Sequence, residues 1–291
     1  MKRAKTNIFD DISKEAKAVY QFLMSALKDY MYKNHFQKAL VGLSGGIDSA
    51  LTATIIADSI GAENLRVVML PSKFNKKQSL IDAQILSHNI KCKSNIIHIT
   101  AIYEAFLQNL FHIFQETSPN TTEENLQARI RMTLLMAISN KFHELLIATS
   151  NKSEASVGYA TLYGDMSGGF ALIKDLYKTQ VYRLANWRNK NIPQDSKLNV
   201  TGVIPGSILK KEPSAELKHE QKDTDSLPPY NLLDKILYYL LEENLPTNQI
   251  ASKLCINDAL IKQIQNMVIS SEFKRKQAPV GPEISLINLW K

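Results

Sequence analysis

The segment Leu43-Ser44-Gly45-Gly46-Ile47-Asp48-Ser49 constrains this 291-residue chain more than any other. It joins a short apolar run, Ala39 to Leu43, to a helical pattern from Asp48 to about residue 60, which Gly61 closes. A strand delivered into a glycine-rich turn and then a helix lets backbone N–H groups approach an anion, with the helix end adding positive potential. It is not a Walker A loop, because the required Gly-Lys-Ser/Thr ending is absent. Asp48 would repel a bound phosphate unless a divalent cation lay between them, so the loop asks for magnesium bridging Asp48 and pyrophosphate. A bare Ser-Gly-Gly also fits an ordinary strand–turn–helix corner. Asp48, Ser49 and the flanking elements weigh against that plainer reading.

The rest of the chain alternates in the same way. Ala16, Val19, Tyr20, Leu23, Leu27 and Tyr30 recur at helical spacing and predict an opening helix over 12–33. Strands are expected at 65–70, 95–100, 145–149 and, more briefly, 170–173. Helices are expected at 79–90, 101–116, 122–142 and 178–190, with Thr122 as the hydroxyl cap of the third. Strands alternating with helices mean α/β architecture with a parallel sheet, and functional groups gather at the carboxyl ends of its strands. Residues 199–230 are rich in proline and polar side chains and read as a loop over a site. Helices at 231–242, 246–255 and 257–271 complete a helical C-terminal segment. We read one domain over 1–291: an N-terminal helix (1–34), an α/β core (35–190) and the loop with C-terminal helices (191–291).

Composition removes several alternatives. Apolar residues make up 44% and charged residues 22%, ordinary for a globular chain, so disorder is not the dominant state. The formal charge of +7 comes from basic residues scattered among acids, unlike a nucleic-acid-binding stripe. No apolar run of about 18 residues exists, and none like a signal peptide's opens the chain, so no membrane association is expected. Cys92 and Cys255 form no C-x-x-C pair, which points to a reducing, cytoplasmic setting. Cys92 stands between two lysines and reads as a plain surface thiol. Cys255 falls in an apolar helical pattern and reads as core.

Ser44 to Ser49 resembles the pyrophosphate loop of the N-type ATP pyrophosphatases, which adenylate a carboxylate or carbonyl oxygen. Further segments narrow the resemblance: Glu124-Asn125-Leu126-Gln127-Ala128-Arg129-Ile130-Arg131-Met132, Thr149 through Glu154, Gly158 through Asp165, Pro213 through Leu217 and Ser271 through Arg275. Together, over residues 35 to 282, they are similar to the NAD synthase family. The resemblance implies an adenine-nucleotide alpha-hydrolase-like, Rossmann-like fold and the ATP-dependent amidation of deamido-NAD. The nicotinate carboxylate attacks the α-phosphorus, pyrophosphate leaves, and ammonia then displaces AMP.

The resemblance also implies roles. Gly42, Leu43, Ser44, Gly45, Gly46, Ile47, Asp48 and Ser49 would line ATP, with Thr149, Lys178 and Ser214 beside them. Asp48 and Glu154 would hold magnesium and, with Lys178, form the catalytic set. Asn125, Arg129, Glu154, Asp165 and Lys274 would contact deamido-NAD. Plainer readings stand beside these. Glu154 and Lys178 fit solvated helix starts, Arg129 a surface partner of Glu124, Lys274 a basic tail, and Ser214 a turn cap.

Many members of the family carry an N-terminal glutaminase domain. Only about 35 residues precede the first strand here, so ammonia is the expected nitrogen donor, with a separate glutaminase subunit left open. A homodimer is expected, covering Phe106, Leu110, Phe114, Leu134 and Leu135. A tRNA-modifying pyrophosphatase and a non-catalytic nucleotide-binding subunit are the rival functions.

Overall fold

The computed structural model describes residues 8–284; the charged opening residues 1–7 and the tail 285–291 lie outside it. Five parallel strands form one sheet in the order β3-β2-β1-β4-β5. They are β1 (Lys38–Gly42), β2 (Leu65–Met69), β3 (Lys93–Ile96), β4 (Glu144–Ala148) and β5 (Phe170–Ala171). The chain builds outward from β1 to β3, then returns to place β4 on the other side of β1. The strand order therefore reverses between β1 and β4, and a crevice opens there beyond their carboxyl ends.

Alternation along the strands assigns the two faces. Ala39 and Val41 of β1, Leu65, Val67 and Met69 of β2, and Leu145 and Ile147 of β4 join one core. Over that face lie α1 (Ile8–Lys33), α2 (Ile47–Ile60), α3 (Lys77–Ile90) and α7 (Lys178–Lys190). Leu40, Val68 and Leu146 point to the opposite face, under α4 (Thr100–Phe114) and α5 (Thr121–Phe142). Central strands covered on both faces explain the nearly unbroken apolar runs of β2 and β4. A third core joins α9 (Tyr230–Leu241), α10 (Thr247–Leu254) and α11 (Asp258–Ser270) to Val157 and Tyr177. The short helices α6 (Lys152–Val157), α8 (Gly206–Lys210) and α12 (Glu272–Arg275) complete the order.

The expected strands and helices are present, with four differences in detail. β3 lies at 93–96 rather than 95–100, because an exposed, polar sheet edge carries no apolar signature. Ile99 instead sits fully buried at the start of α4, and Thr100 is already helical. The cap of α5 is Asn120, not Thr122: Asn120 accepts from Thr122 N–H at 2.8 Å, and Glu123 accepts from Asn120 N–H at 2.7 Å. The two amides so satisfied form a capping box. Cys255 is exposed rather than core, since α10 ends at Leu254 and Cys255 takes the left-handed cap conformation (φ +54°). Cys92 is half-buried against the main core rather than a plain surface thiol, and burial pushes its thiol up to about 11.

Candidate active site

The glycine-rich loop is wound around one serine. Ser49 Oγ accepts from Ser44 N–H at 3.2 Å and donates to the Gly46 carbonyl at 3.1 Å. Gly46 N–H donates to Ser44 Oγ at 3.2 Å. Gly45 has φ +78°, and a Cβ there would stand 2.1 Å from the Ser79 carbonyl oxygen, so only glycine fits. Gly46 precedes α2 without any side-chain cap, which leaves the first amides of that helix available to an anion.

Asp48, in the first turn of α2, faces the start of two other helices. Asn151 caps α6 by accepting from Glu154 N–H at 3.0 Å, and its amide donates to Asp48 Oδ1 at 3.0 Å. Lys178, the first residue of α7, donates to Asp48 Oδ2 at 2.6 Å and to Glu154 Oε1 at 2.7 Å. The sequence-predicted set of Asp48, Glu154 and Lys178 therefore meets at the β1/β4 crevice. The solvated helix-start readings of Glu154 and Lys178 fail with it. Burial pushes the Glu154 carboxyl up to about 7; the Lys178 charge pulls it down and Asp48 repels it further up. Burial alone would lower the Lys178 ammonium, but the two carboxylates hold it well above its usual value.

These groups open onto a cavity of about 280 Å³. One part of the lining is apolar, with Val68, Leu70, Met132, Leu135 and Leu146. The other carries the loop residues, Thr149, Glu154, Lys178 and Ser214. Ser214 Oγ also donates to the Gln221 carbonyl and accepts from Glu216 N–H, so it braces its own loop.

Asn125, Arg129 and Lys274 are not on this cavity wall. All three converge instead on the segment 158–165. Asn125 Oδ1 accepts from Thr161 Oγ1 at 2.8 Å, and Arg129 Nε donates to the Leu162 carbonyl at 3.2 Å. Lys274 Nζ donates to the carbonyls of Gly158 and Ala160, both at 2.8 Å. Asp165 links the two regions. It lines the cavity and accepts from Thr161 N–H at 2.7 Å, and burial raises its carboxyl above the usual range.

Sequence reasoning missed several cavity residues. Arg131 donates to the Leu70 carbonyl at 2.9 Å and to Asn75 at 3.1 Å, and burial lowers its guanidinium to about 10. Its place two residues after Arg129, inside the quoted motif, was the available signal. Glu216 and Asp223 also line the wall. Glu216 stands inside the quoted Pro213–Leu217 segment and Asp223 in the polar stretch after it, and nothing local there separates a buried acid from a solvated one.

Fold and site together define an α/β protein with a phosphate-suited loop, two carboxylates and a lysine at the switch point of a parallel sheet. The sequence matches the NAD synthase family over residues 19–278, and the chain belongs to that family. It is 46% identical over 272 residues to a glutamine-dependent NAD(+) synthetase of Aquifex aeolicus, covering 94% of this chain and 46% of that protein. The chain thus spans about half the length of the curated relatives it matches. The structure of NMN synthetase from Francisella tularensis aligns at 28% identity and TM-score 0.74, covering 90% of this chain and 97% of the other. The NH3-dependent NAD synthetase from Campylobacter jejuni aligns at 28% identity and TM-score 0.71, over 92% and 98%. Membership bears out the family resemblance drawn from the motifs, and the parallel sheet bears out the fold class.

Proposed function

We propose that this chain, as one synthetase domain, amidates deamido-NAD to NAD at the expense of ATP, releasing AMP and pyrophosphate, with ammonia as the nitrogen donor. The observation that carries this reading is the Asp48–Lys178–Glu154 cluster beside the uncapped start of α2. A carboxylate is a poor electrophile because its leaving group would be oxide. Adenylation supplies a good one, and the chain's share is to position the groups and neutralise charge.

The loop from Gly42 to Ser49 and the first amides of α2 hold the polyphosphate, with Ser214 and Thr149 beside it. The Lys178 ammonium faces the same space as a fixed positive charge. The apolar part of the lining takes the adenine ring. Asn125, Arg129 and Lys274 set the segment 158–165, and Asp165 with it, against the dinucleotide. Asp48 and Glu154 suit magnesium, being hard oxygen donors whose combined charge exceeds that of Lys178. Magnesium, when bound, supplies charge neutralisation at the polyphosphate.

Ammonia fits the two thiols. Glutamine hydrolysis needs an activated nucleophile. Cys92 is held up at about 11 by burial, and Cys255 is exposed at a helix end, donating to the Ser252 carbonyl. Glutamine hydrolysis would then have to take place outside these 291 residues. Two free cysteines suit a reducing cytoplasm. Among the described residues no helix is long and apolar enough to cross a membrane.

The test supplies purified chain with ATP, magnesium and either deamido-NAD or nicotinate mononucleotide, and with either ammonium or glutamine. NAD formed from deamido-NAD and ammonium is the expected result. Preference for the mononucleotide would move the substrate, and equal rates with glutamine would mean a missed site.

A further inference from the structure

Asp223 is an acid that the family motifs do not mark. It is 3% exposed and lines the cavity, yet its Oδ1 has no hydrogen-bond partner among the described residues. A buried carboxylate oxygen left without a donor is costly, so the site is built for a donor that arrives with a ligand. The other oxygen, Oδ2, accepts from the Tyr230 hydroxyl at 2.8 Å. The ring of Tyr230 in turn lies 5.3 Å from the Lys178 ammonium. Asp223 N–H donates to the Pro213 carbonyl at 3.2 Å, which fixes the residue directly behind the Pro213–Ser214 turn. The side chain is thus held at its backbone and at one oxygen, and the Tyr159 hydroxyl also faces the carboxylate, while Oδ1 makes no hydrogen bond among the described residues.

The charge count points to the class of donor. Lys178 pairs with the carboxylates of Asp48 and Glu154, and the Asp223 carboxylate in turn repels Glu154, so the three acids leave a formal excess of two negative charges that suits a divalent cation. Among the described residues, though, no three His, Cys, Asp or Glu converge closely enough to ligate one metal ion together. A direct bond from Asp223 is therefore not what the geometry offers. Magnesium keeps several of its waters, and waters on a divalent cation are strong donors. A metal–water bond of about 2.1 Å followed by a hydrogen bond of about 2.7 Å extends the ion's reach by roughly 5 Å.

We propose that Asp223 binds the hydration shell of the divalent cation, its free Oδ1 accepting from a metal-bound water while Asp48 and Glu154 hold the ion directly. This rests on the reading of Asp48 and Glu154 as the cation's ligands. Tyr230 positions Asp223 through the hydrogen bond from its hydroxyl.

The probe is Mn2+ with α,β-methylene ATP, whose α–β bond resists cleavage; free Mn2+ is counted by electron paramagnetic resonance. D223N should weaken Mn2+ affinity on the order of tenfold, the scale of losing a group that orients a metal's ligands. D48N should abolish measurable binding. D223S, which also removes the carboxylate, should match D223N and serves where D223N folds poorly, with circular dichroism confirming the fold of each. Affinity for the nucleotide analogue without metal should be unchanged in D223N. A folded D223N that binds Mn2+ within twofold of the parent overturns the inference. So does an equal loss of metal-free nucleotide binding, which would assign the free oxygen to a ribose hydroxyl. If D48N binds Mn2+ as the parent does, the ligand reading fails and takes this inference with it.

Discussion

Lys178 and Asp48 lie 130 residues apart in the chain, and the Lys178 ammonium donates to Asp48 Oδ2 at 2.6 Å. That contact ties the first turn of α7 to the first turn of α2 across the switch point of the sheet. The lysine side chain is 4% exposed and the aspartate 17%, so the pair faces the cavity rather than bulk solvent. A buried pair of this kind is weak evidence for stability. Its placement at a helix start aimed into a cavity argues for chemistry.

The first prediction follows. Asp48→Asn keeps the shape, and its amide oxygen can still accept from Lys178, so the fold should survive. The amide cannot neutralise a divalent cation. Pyrophosphate release should fall on the order of 10²-fold or more, the scale of removing a charge stabiliser. Near-parental release from a folded variant would remove Asp48 from the mechanism.

Glu216 fastens the loop at 211–221 to the start of α3. Its carboxylate accepts from Ser79 Oγ at 2.7 Å and Lys76 N–H at 3.2 Å, and pairs with Lys211 at 2.8 Å. Burial pushes its carboxyl up, but the hydrogen bonds from Lys211 and Ser79 outweigh it and hold the group below its usual range. Glu216→Ala should cost about 1–3 kcal/mol of stability. It should also raise the KM for ATP more than it lowers kcat, because Ser214 rides on that loop. Hydrogen exchange should quicken over 211–221; unchanged protection there would mean the loop is held otherwise.

How far the sequence shows the fold depends on range. The strand–turn–helix corner at 39–60 is local, and its apolar run, glycines and acid are neighbours, so it can be read residue by residue. Lys178 opens a helix whose bounds, 178–190, follow from periodicity alone. The roles of Glu216 and Asp234 were invisible because their partners stand elsewhere in the chain: Ser79 for Glu216, and Ser153 for Asp234. Cys255 misled for a related reason. The apolar pattern runs on past Leu254, but the backbone turns left-handed there, and no helical periodicity reports a cap. The edge strand β3 was placed too late, at 95–100 rather than 93–96, because its four residues are all exposed.

Asp234 gives a pH prediction. It accepts from Ser153 Oγ at 2.5 Å and from Thr179 N–H at 2.9 Å, pinning α6 and α7 beside Glu154 and Lys178. Burial pushes its carboxyl up to about 6 despite those donors. Between about pH 4 and pH 6 the unfolded chain has released this proton while the native state still holds it. Asp234 therefore contributes stability below pH 4 that is lost as pH rises to 6, on the order of 2–3 kcal/mol. Asp234→Asn cannot titrate. In urea unfolding, its stability relative to the parent should improve by that amount across the window. Parallel profiles would show that the carboxyl titrates normally.

The last prediction concerns assembly. The α4 helix is largely apolar, yet among its fifteen residues only Tyr103 is fully buried. Phe106 is 46% exposed, Phe111 61% and Ile113 73%. Of the residues expected at an interface, Leu135 instead packs beneath the sheet, while Phe106 stays exposed and Leu110, Phe114 and Leu134 are partly covered. Met136 and Phe142 of α5 extend the exposed apolar surface. Large apolar side chains exposed along α4 and on α5 are what a two-fold contact between like faces commonly covers. Light scattering at micromolar concentration should therefore give twice the 32.8 kDa chain mass. Phe111→Glu combined with Ile113→Glu places like charges on both sides of a two-fold contact and should give monomers with unchanged helical content. A parent chain already monomeric at that concentration would refute the homodimer, and a double variant that stays dimeric would move the interface away from α4.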